Sequence, residues 1–156
     1  MIKSPFRQRK PHDFRILMLY PNVQMSSLMP QSIGIFAALF KNAGYTTDLF
    51  DCTYYQDFHF KNNKEGLNEE EMREKNKSQP IYDEAELLEK GGAPKKSNIK
   101  NDFVTKVQNF RPDLILVSVV ESTWFLAADL LESVPVKDRR YKTLFGGVFA
   151  TYASDK

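Results

Sequence analysis

Two short, continuous apolar runs constrain the fold of this chain more than any other feature. They are RILMLY, at 15–20, and DLILVSVV, at 113–120. Runs of this length without polar alternation are typical of parallel strands that are buried on both faces. Parallel strands need crossover connections, which are usually helices, so the sequence predicts an α/β protein.

Segments with helical spacing lie between the strands. The first is predicted over 33–43, with Ser32 as its N-cap and Gly44 just beyond its end, where glycine is favoured. A second is predicted over 101–110, where an apolar stripe recurs every three to four residues and Pro112 ends the helix.

A third helix and two further strands complete the alternation. YTTDLFD, at 45–51, and YKTLFGG, at 141–147, have the β-branched and aromatic content of strands. Between the last two strands, Ser122 or Thr123 is predicted to cap a helix. Four of its apolar residues are expected to face the sheet: Phe125, Ala128, Leu131 and Val134.

This order predicts a doubly wound open parallel sheet of the flavodoxin-like or Rossmann-like type. Right-handed crossovers give the strand order 2-1-3-4. TYASDK, at 151–156, reads as the beginning of a further helix. The fifth strand of such a sheet is therefore expected to be missing, and the domain to be truncated at its C-terminus.

Composition divides the chain into three parts. Residues 1–13 form a basic arm, and 14–156 form the α/β domain, which a charged insertion interrupts at about 56–100. The formal net charge of +2 does not favour a nucleic-acid surface. We expect a cytoplasmic protein, because the sequence has neither a membrane-spanning apolar stretch nor the apolar core of a signal peptide.

The few metal-binding and nucleophilic residues limit the chemistry. Cys52 is the one cysteine, which excludes an internal disulfide and a zinc or iron–sulfur site built by this chain alone. It is expected to be a small buried residue, and His12 and His59 to be surface residues. No catalytic triad is indicated, so the chain by itself is expected to bind rather than to catalyse.

Three segments are expected to converge at the carboxyl edge of the sheet: the loop 22–32, the turn ESTW at 121–124, and GGVFAT at 146–151. They would bring hydroxyl groups, backbone N–H groups and backbone without side chains to one edge, which is where open α/β sheets bind ligands. Each also has a simpler explanation, as a helix cap, a tight turn or a long loop. Glycines there would let a large ligand approach the backbone.

Together these segments resemble a known family. RILMLYPN…MPQSIGIFAALFKNAGYTTDLFD, RPDLILVSVVEST and FGGVFAT are similar to the cobalamin-binding domain that precedes the radical S-adenosylmethionine domain of many enzymes. The resemblance covers about 14–55 and 100–155. It implies a corrin ring over the loop before Gly34 and a nucleotide tail along SVVEST and GGVFAT. The residues implied to contact the cofactor are Asn22, Met25, Ser26, Ser27, Leu28, Gly34, Ser118, Glu121, Ser122, Thr123, Gly146, Gly147, Ala150 and Thr151.

The resemblance also implies a role. The domain would present cobalamin, as a methyl carrier, to a radical S-adenosylmethionine domain of the same full-length protein, which would be methyltransferase-like. S-adenosylmethionine and a [4Fe-4S] cluster are implied only for that second domain. The loop 21–34 lacks the histidine that binds cobalt in the wider fold, so a histidine-off cobalamin is expected and no metal ligand comes from this chain.

Other proteins of similar fold fit the sequence less well. A phosphoreceiver domain needs acidic residues after the first strand, and a nucleotide-binding Rossmann domain needs G-x-G-x-x-G there, and both features are absent. A flavodoxin would need a first loop rich in glycine and threonine. One alternative stays open: a non-catalytic α/β interaction module or nucleotide-sugar-binding module that takes no corrinoid.

Overall fold

A four-stranded parallel sheet forms the centre of the protein. The computed structural model describes residues 10–22, 30–55, 95 and 97–152. All strand pairs are parallel, in the order β2-β1-β3-β4, which confirms the predicted α/β open sheet and its strand order. The strands are β1 (Arg15–Tyr20), β2 (Thr46–Asp51), β3 (Leu114–Ser118) and β4 (Lys142–Gly146).

Helices connect and follow the strands. They are α1 (Gln31–Asn42), α2 (Ile99–Phe110), α3 (Trp124–Ser133) and α4 (Val148–Tyr152). Among the described residues, short 3-10 turns lie at Pro11–Asp13, Glu121–Thr123 and Val136–Asp138.

The helix boundaries correct one predicted signal and agree with another. Pro30 is the N-cap of α1 and has extended backbone, so Ser32 lies within the helix and the prediction that it is the cap was wrong. At the end of α2, Arg111 already has left-handed backbone, with φ 49°, and its N–H bonds to Val107 O. This agrees with the predicted stop, because Pro112 disfavours right-handed helical backbone at Arg111, the residue before it.

One face of the sheet, here called the closed face, is covered by α2 and α3 over β1 and β3. The strand residues Leu17 and Ile115 on this face are 0% exposed. They belong to the main core cluster together with Phe103 of α2 and Leu126 of α3. Close packing of this kind between helices and a parallel sheet supplies most of the apolar burial that stabilises a doubly wound domain.

The predicted buried face of α3 was right for Leu131 and Val134, which pack in or against the main core cluster, and wrong for Phe125. Leu126, Ala127 and Leu130 are buried, as is Val134 just after the helix, whereas Phe125 is 52% exposed. The predicted residues are spaced by three. In a helix with 3.6 residues per turn, each step of three leaves the side chain about 60° short of a full turn. Over three steps the side chains therefore cannot all lie on one face of the helix. The spacing of four from 126 to 130 to 134 drifts less and stays against the sheet.

The other face, here called the open face, is covered only in part. Ile33 of α1 is buried against Met18 and Tyr20, and Ala37 packs against the same small cluster. Phe36, on the same helix, is 48% exposed. No helix among the described residues lies over β4 on this face, and Leu144 is 58% exposed there.

The two ends of the predicted insertion lie side by side. Tyr55 and Lys95 form a parallel bridge, and the N–H of Lys95 donates to Tyr54 O at 2.7 Å. The Tyr55 hydroxyl donates to Asp102 of α2 at 2.9 Å. Burial, followed by that hydrogen bond, raises the pKa of Tyr55. Most of the predicted insertion, 56–94, lies outside the described residues.

The end of the predicted basic arm contacts the sheet. The Thr46 hydroxyl donates to His12 O at 3.1 Å, so residues 10–13 pack beside β2. The side chain of His12 is 66% exposed, as predicted for a surface histidine. Within the part of the chain that the structure describes, no helix has both the length and the apolar character needed to cross a membrane.

Candidate functional site

The strand order creates a crevice at the carboxyl edge. The chain runs from β1 to β2 on one side and then returns to place β3 and β4 on the other, so the winding reverses between β1 and β3. Ligands of open α/β sheets bind at such a switch point, beyond the carboxyl ends of the strands. Asn22 follows β1 there, the turn Glu121–Thr123 follows β3, and Gly146 ends β4.

Neither the packing nor the backbone conformation of the fold explains why residue 146 is a glycine. It pairs with Ser118 at the ends of β4 and β3, and it is exposed. A Cβ at this position would meet no atom within 4 Å, and its backbone does not have the positive φ that favours glycine. Neither packing nor conformation requires a glycine here, so open space lies above the backbone at the strand end.

Gly147 has a clear structural role. Its φ is +103°, and a Cβ there would lie 2.4 Å from the carbonyl oxygen of Val119. The carbonyl of Gly146 in turn accepts the Val119 N–H at 3.0 Å. Close approach of the two backbones therefore excludes any side chain at 147, whether or not a ligand binds.

In the turn after β3, many of the hydrogen-bonding groups are already bonded to other groups of the protein. Thr123 is 7% exposed, and its hydroxyl both accepts the Val120 N–H at 3.1 Å and donates to Val120 O at 3.2 Å. Thr123 is the N-cap of α3, as predicted, but its side chain makes no capping hydrogen bond to that helix. The N–H groups of Val119, Val120 and Thr123 are all bonded within the protein, so they are not the free donors that were expected. The side chains of Glu121 and Ser122 are exposed.

Asn22 connects the ends of two strands. It is 2% exposed, and its amide donates to the Thr53 hydroxyl at 3.1 Å. Thr53 in turn donates its hydroxyl and its N–H to one carboxylate oxygen of Asp51. The amide group of Asn22 therefore has a structural role. Cys52 lies between these residues and is 2% exposed, which confirms the predicted small buried residue, and burial raises the pKa of its thiol.

The other predicted contact residues differ in their surroundings. Gly34 lies exposed in the first turn of α1, and a Cβ there would meet nothing within 4 Å. Ala150 is partly buried against the closed-face core, and the Thr151 hydroxyl donates at 2.9 Å to the carbonyl oxygen of Gly147, just before α4. Ser118 is half-buried at the end of β3. Four of the predicted residues lie outside the described part of the chain: Met25, Ser26, Ser27 and Leu28.

Exposed apolar side chains on the segments after β3 and β4 were not predicted. Val120 is 49% exposed and Val148 is 66% exposed, each two residues beyond its strand. Phe125 and Tyr152, on the helices that follow, are 52% and 86% exposed. The sequence signal that could have indicated these side chains was an apolar residue two positions beyond each strand. The sequence alone does not show that such a residue remains exposed.

The titratable residues do not form a cluster at this edge. Among the described residues, no group of three or more His, Cys, Asp or Glu side chains is arranged to hold a metal ion. His12 lies before β1, at the opposite end of the strands, 3.2 Å from Asp13. The site is thus built mainly from backbone, hydroxyl groups and apolar side chains.

By its fold, the protein belongs to the class of doubly wound α/β proteins with flavodoxin-like strand order. No protein-family model matches the chain, no curated protein matches it, and no solved structure matches it.

Proposed function

We propose that this domain binds cobalamin in the cytoplasm and presents it to a radical S-adenosylmethionine domain of the full-length protein. The support is the strand order, the resemblance of the segments after β1, β3 and β4, and the character of the carboxyl edge. Bound cobalamin would supply a cobalt centre able to carry a methyl group. The residues of this chain would bind and orient it.

The observation that carries the proposal is the open backbone at Gly146. A glycine with neither a packing nor a conformational cause at a switch-point edge fits a ligand that lies against the strand end. Ser118, paired with Gly146, would offer its hydroxyl to the nucleotide tail. The exposed apolar side chains of Val120 and Val148 suit the apolar parts of a large cofactor.

The loop that would underlie the corrin offers no imidazole. Its sequence from 21 to 34 contains amide, hydroxyl, thioether and aliphatic side chains but no histidine. Cobalt bound above it would have no nitrogen ligand from the loop. This part of the proposal rests on the sequence, because 23–29 lie outside the described residues.

Equilibrium dialysis against hydroxocobalamin tests the proposal. We expect retention by the chain and a loss of at least about tenfold in affinity for Gly146→Val, because the added methyl groups would occupy the space above the strand end. Thr143→Val is the matched control: the residue lies on the same strand, and its side chain is exposed on the opposite face. Its affinity should equal that of the unmodified chain, and thermal unfolding should show both variants folded.

Electron paramagnetic resonance of the reduced complex tests the axial ligand. We expect no triplet nitrogen splitting on the high-field lines, since neither the loop nor the displaced benzimidazole would bind the cobalt. Absence of retention by the folded chain would refute corrinoid binding and favour the interaction module. Retention with nitrogen splitting would leave binding intact and refute the histidine-off state.

A further inference from the structure

Basic residues are concentrated at one end of the strands. All four strands are parallel, so the segments that precede them lie together with the ends of the connecting helices. These segments, 10–15, 41–45, 111–113 and 132–142, are here called the amino end. They carry eight Lys and Arg residues against four Asp and Glu residues. This end is therefore clearly positive, although the formal charge of the whole chain is only +2.

The opposite end of the strands lacks this excess of positive charge. Among the described residues, Asp51, Asp102 and Glu121 lie at the carboxyl end together with Lys95 and Lys100. Charge is thus separated along the direction of the strands. An anionic partner is attracted to the amino end and not to the crevice, over a range of about 8 Å at physiological ionic strength.

Part of the positive charge has a structural explanation. The helices end at the amino end, where the helix dipole favours cations. Arg139 donates through its side chain to the carbonyl oxygens of Glu132 and Val134, at 2.8 Å in each case, so it caps the end of α3. The guanidinium of Arg15 lies over the ring of Phe110, 4.7 Å from its centroid. These two arginines stabilise the fold.

Four basic residues of the amino end have no such contacts: Arg111, Lys137, Arg140 and Lys142. Each is exposed, and none forms an ion pair with a carboxylate of the described residues. On α2, in contrast, Lys100 pairs with Asp129 and Lys106 pairs with Asp48. The charges of the four amino-end residues are therefore not neutralised within the described part of the chain.

Arg111 is an unexpected residue for its backbone conformation. It follows α2 with φ 49°, in the left-handed region. Glycine, and less often asparagine, is favoured at such a position, because a side chain is disfavoured there. The local conformation therefore does not account for an arginine at 111, whereas an exposed positive charge at this end does.

One apolar side chain projects from the same end. Val136 is 79% exposed, in the turn Val136–Asp138 between α3 and β4, and Lys137 follows it directly. Surfaces that bind anionic membranes combine these two features. Cations approach the lipid phosphates, and exposed apolar side chains enter the boundary between headgroups and acyl chains.

A nucleic acid fits this end less well. The Phe and Tyr side chains of the amino end and of its neighbouring helix end are buried or partly buried: Phe14, Tyr45, Phe110 and Tyr141. They offer no platform on which bases could stack. An exposed valine gains little from contact with a phosphate backbone, whereas it gains from contact with lipid.

We propose that the amino end of the sheet binds an anionic membrane surface. The four exposed cations approach the lipid phosphates, and Val136 enters the apolar boundary. The crevice then faces away from the membrane, since it lies at the opposite end of the same parallel strands. The proposal does not depend on corrinoid binding, because the two surfaces share no residue.

Co-sedimentation of the full chain with lipid vesicles tests the proposal. One set of vesicles is phosphatidylcholine alone, and the other is phosphatidylcholine with an equal part of phosphatidylserine. We expect binding at least about tenfold tighter to the mixed vesicles, because each Lys or Arg near an anionic surface strengthens binding roughly fivefold. Added salt should release the protein, since it screens these charges.

Two double substitutions separate the position of the charge from its amount. Arg140→Ala with Lys142→Ala should weaken binding to the mixed vesicles by at least about tenfold. Lys100→Ala with Lys106→Ala removes the same formal charge from α2 and should change it by less than about twofold. If the first variant does not fold, Arg111→Gly with Lys137→Ala replaces it, because glycine suits the left-handed backbone at 111.

A single substitution distinguishes a membrane from a nucleic acid. Val136→Ser should weaken binding to the mixed vesicles several-fold and leave the weak binding to a duplex oligonucleotide unchanged. Gly146→Val should bind the vesicles normally, so loss of corrinoid binding and loss of membrane binding are separate results.

Three results would overturn the proposal. The first is equal binding to neutral and mixed vesicles, and the second is an equal loss in the two double variants. The third is tighter binding to the duplex than to vesicles at equal phosphate concentration, with no effect of Val136→Ser, because the amino end would then be a nucleic-acid surface.

Discussion

The two faces of the sheet have similar apolar side chains but different surroundings. On the closed face, Leu17, Ile115 and Val117 are no more than 2% exposed beneath α2 and α3. On the open face, Leu116 of β3 is partly buried, and Leu144 of the edge strand β4 is 58% exposed. Strand composition therefore does not decide burial. The helix that lies over each strand does.

The aromatic residues of the helices show the same contrast. Phe103 of α2 is 0% exposed and meets the edge of Phe50, with ring centroids 5.1 Å apart. Phe36 of α1 is 48% exposed, and its ring stacks on Phe40 at 6.0 Å within the same helix. The first ring connects a helix to the sheet, whereas the second contributes little beyond its own helix.

The largest expected effect compares these two rings. Phe103→Ala should lower the free energy of unfolding by about 3–5 kcal/mol, because it removes buried apolar surface and leaves a cavity. Phe36→Ala should lower it by less than about 1 kcal/mol, because the ring is already half in water. Urea unfolding followed by circular dichroism measures both. Equal losses would mean that the open face is covered in solution, and the contrast between the faces would be wrong.

A smaller effect separates the two adjacent glycines. Gly147→Ala should cost about 1–3 kcal/mol for the positive φ, together with the displacement needed to relieve contact with Val119 O. Gly146→Ala should be neutral or stabilising by up to about 1 kcal/mol, because its Cβ would enter open space and reduce the entropy of the unfolded chain. Thermal unfolding measures the difference.

The glycine comparison has its own control. Gly34→Ala, in the first turn of α1, also adds a Cβ that meets nothing within 4 Å, and it should be stabilising as in any helix. A loss at Gly146 as large as at Gly147 would show that the fold requires both glycines. The argument that Gly146 is available for a ligand would then fail.

Local sequence patterns predicted the strands and their order well. The bounds of β1 agree with the prediction, and Gly44 has the positive φ, 86°, that was predicted beyond the end of α1. These features depend on short-range periodicity and on backbone conformation, which neighbouring residues largely determine. Right-handed crossovers then leave few possible strand orders.

Features that depend on tertiary contacts were harder to predict. The sequence does not show that Pro30 replaces Ser32 as the cap of α1, or that Phe125 turns away from the sheet. The sequence also does not distinguish the two adjacent glycines. In the structure, the close Val119 backbone requires glycine at 147 but not at 146. Each of these outcomes depends on contacts between residues that are far apart in the sequence.

The smallest expected effect compares neighbouring hydroxyl residues in the turn after β3. Thr123 is buried, and its hydroxyl accepts the Val120 N–H, whereas Ser122 is exposed. Thr123→Val keeps the shape but leaves that N–H without its partner, so it should cost about 1 kcal/mol. Ser122→Ala should change the free energy of unfolding by less than about 0.5 kcal/mol. Thr123→Ser, which keeps the hydroxyl, should recover most of the loss in urea unfolding. If Thr123→Val is neutral while Ser122→Ala destabilises, then Ser122 supports the turn, and its exposed hydroxyl is not available for a ligand at the carboxyl edge.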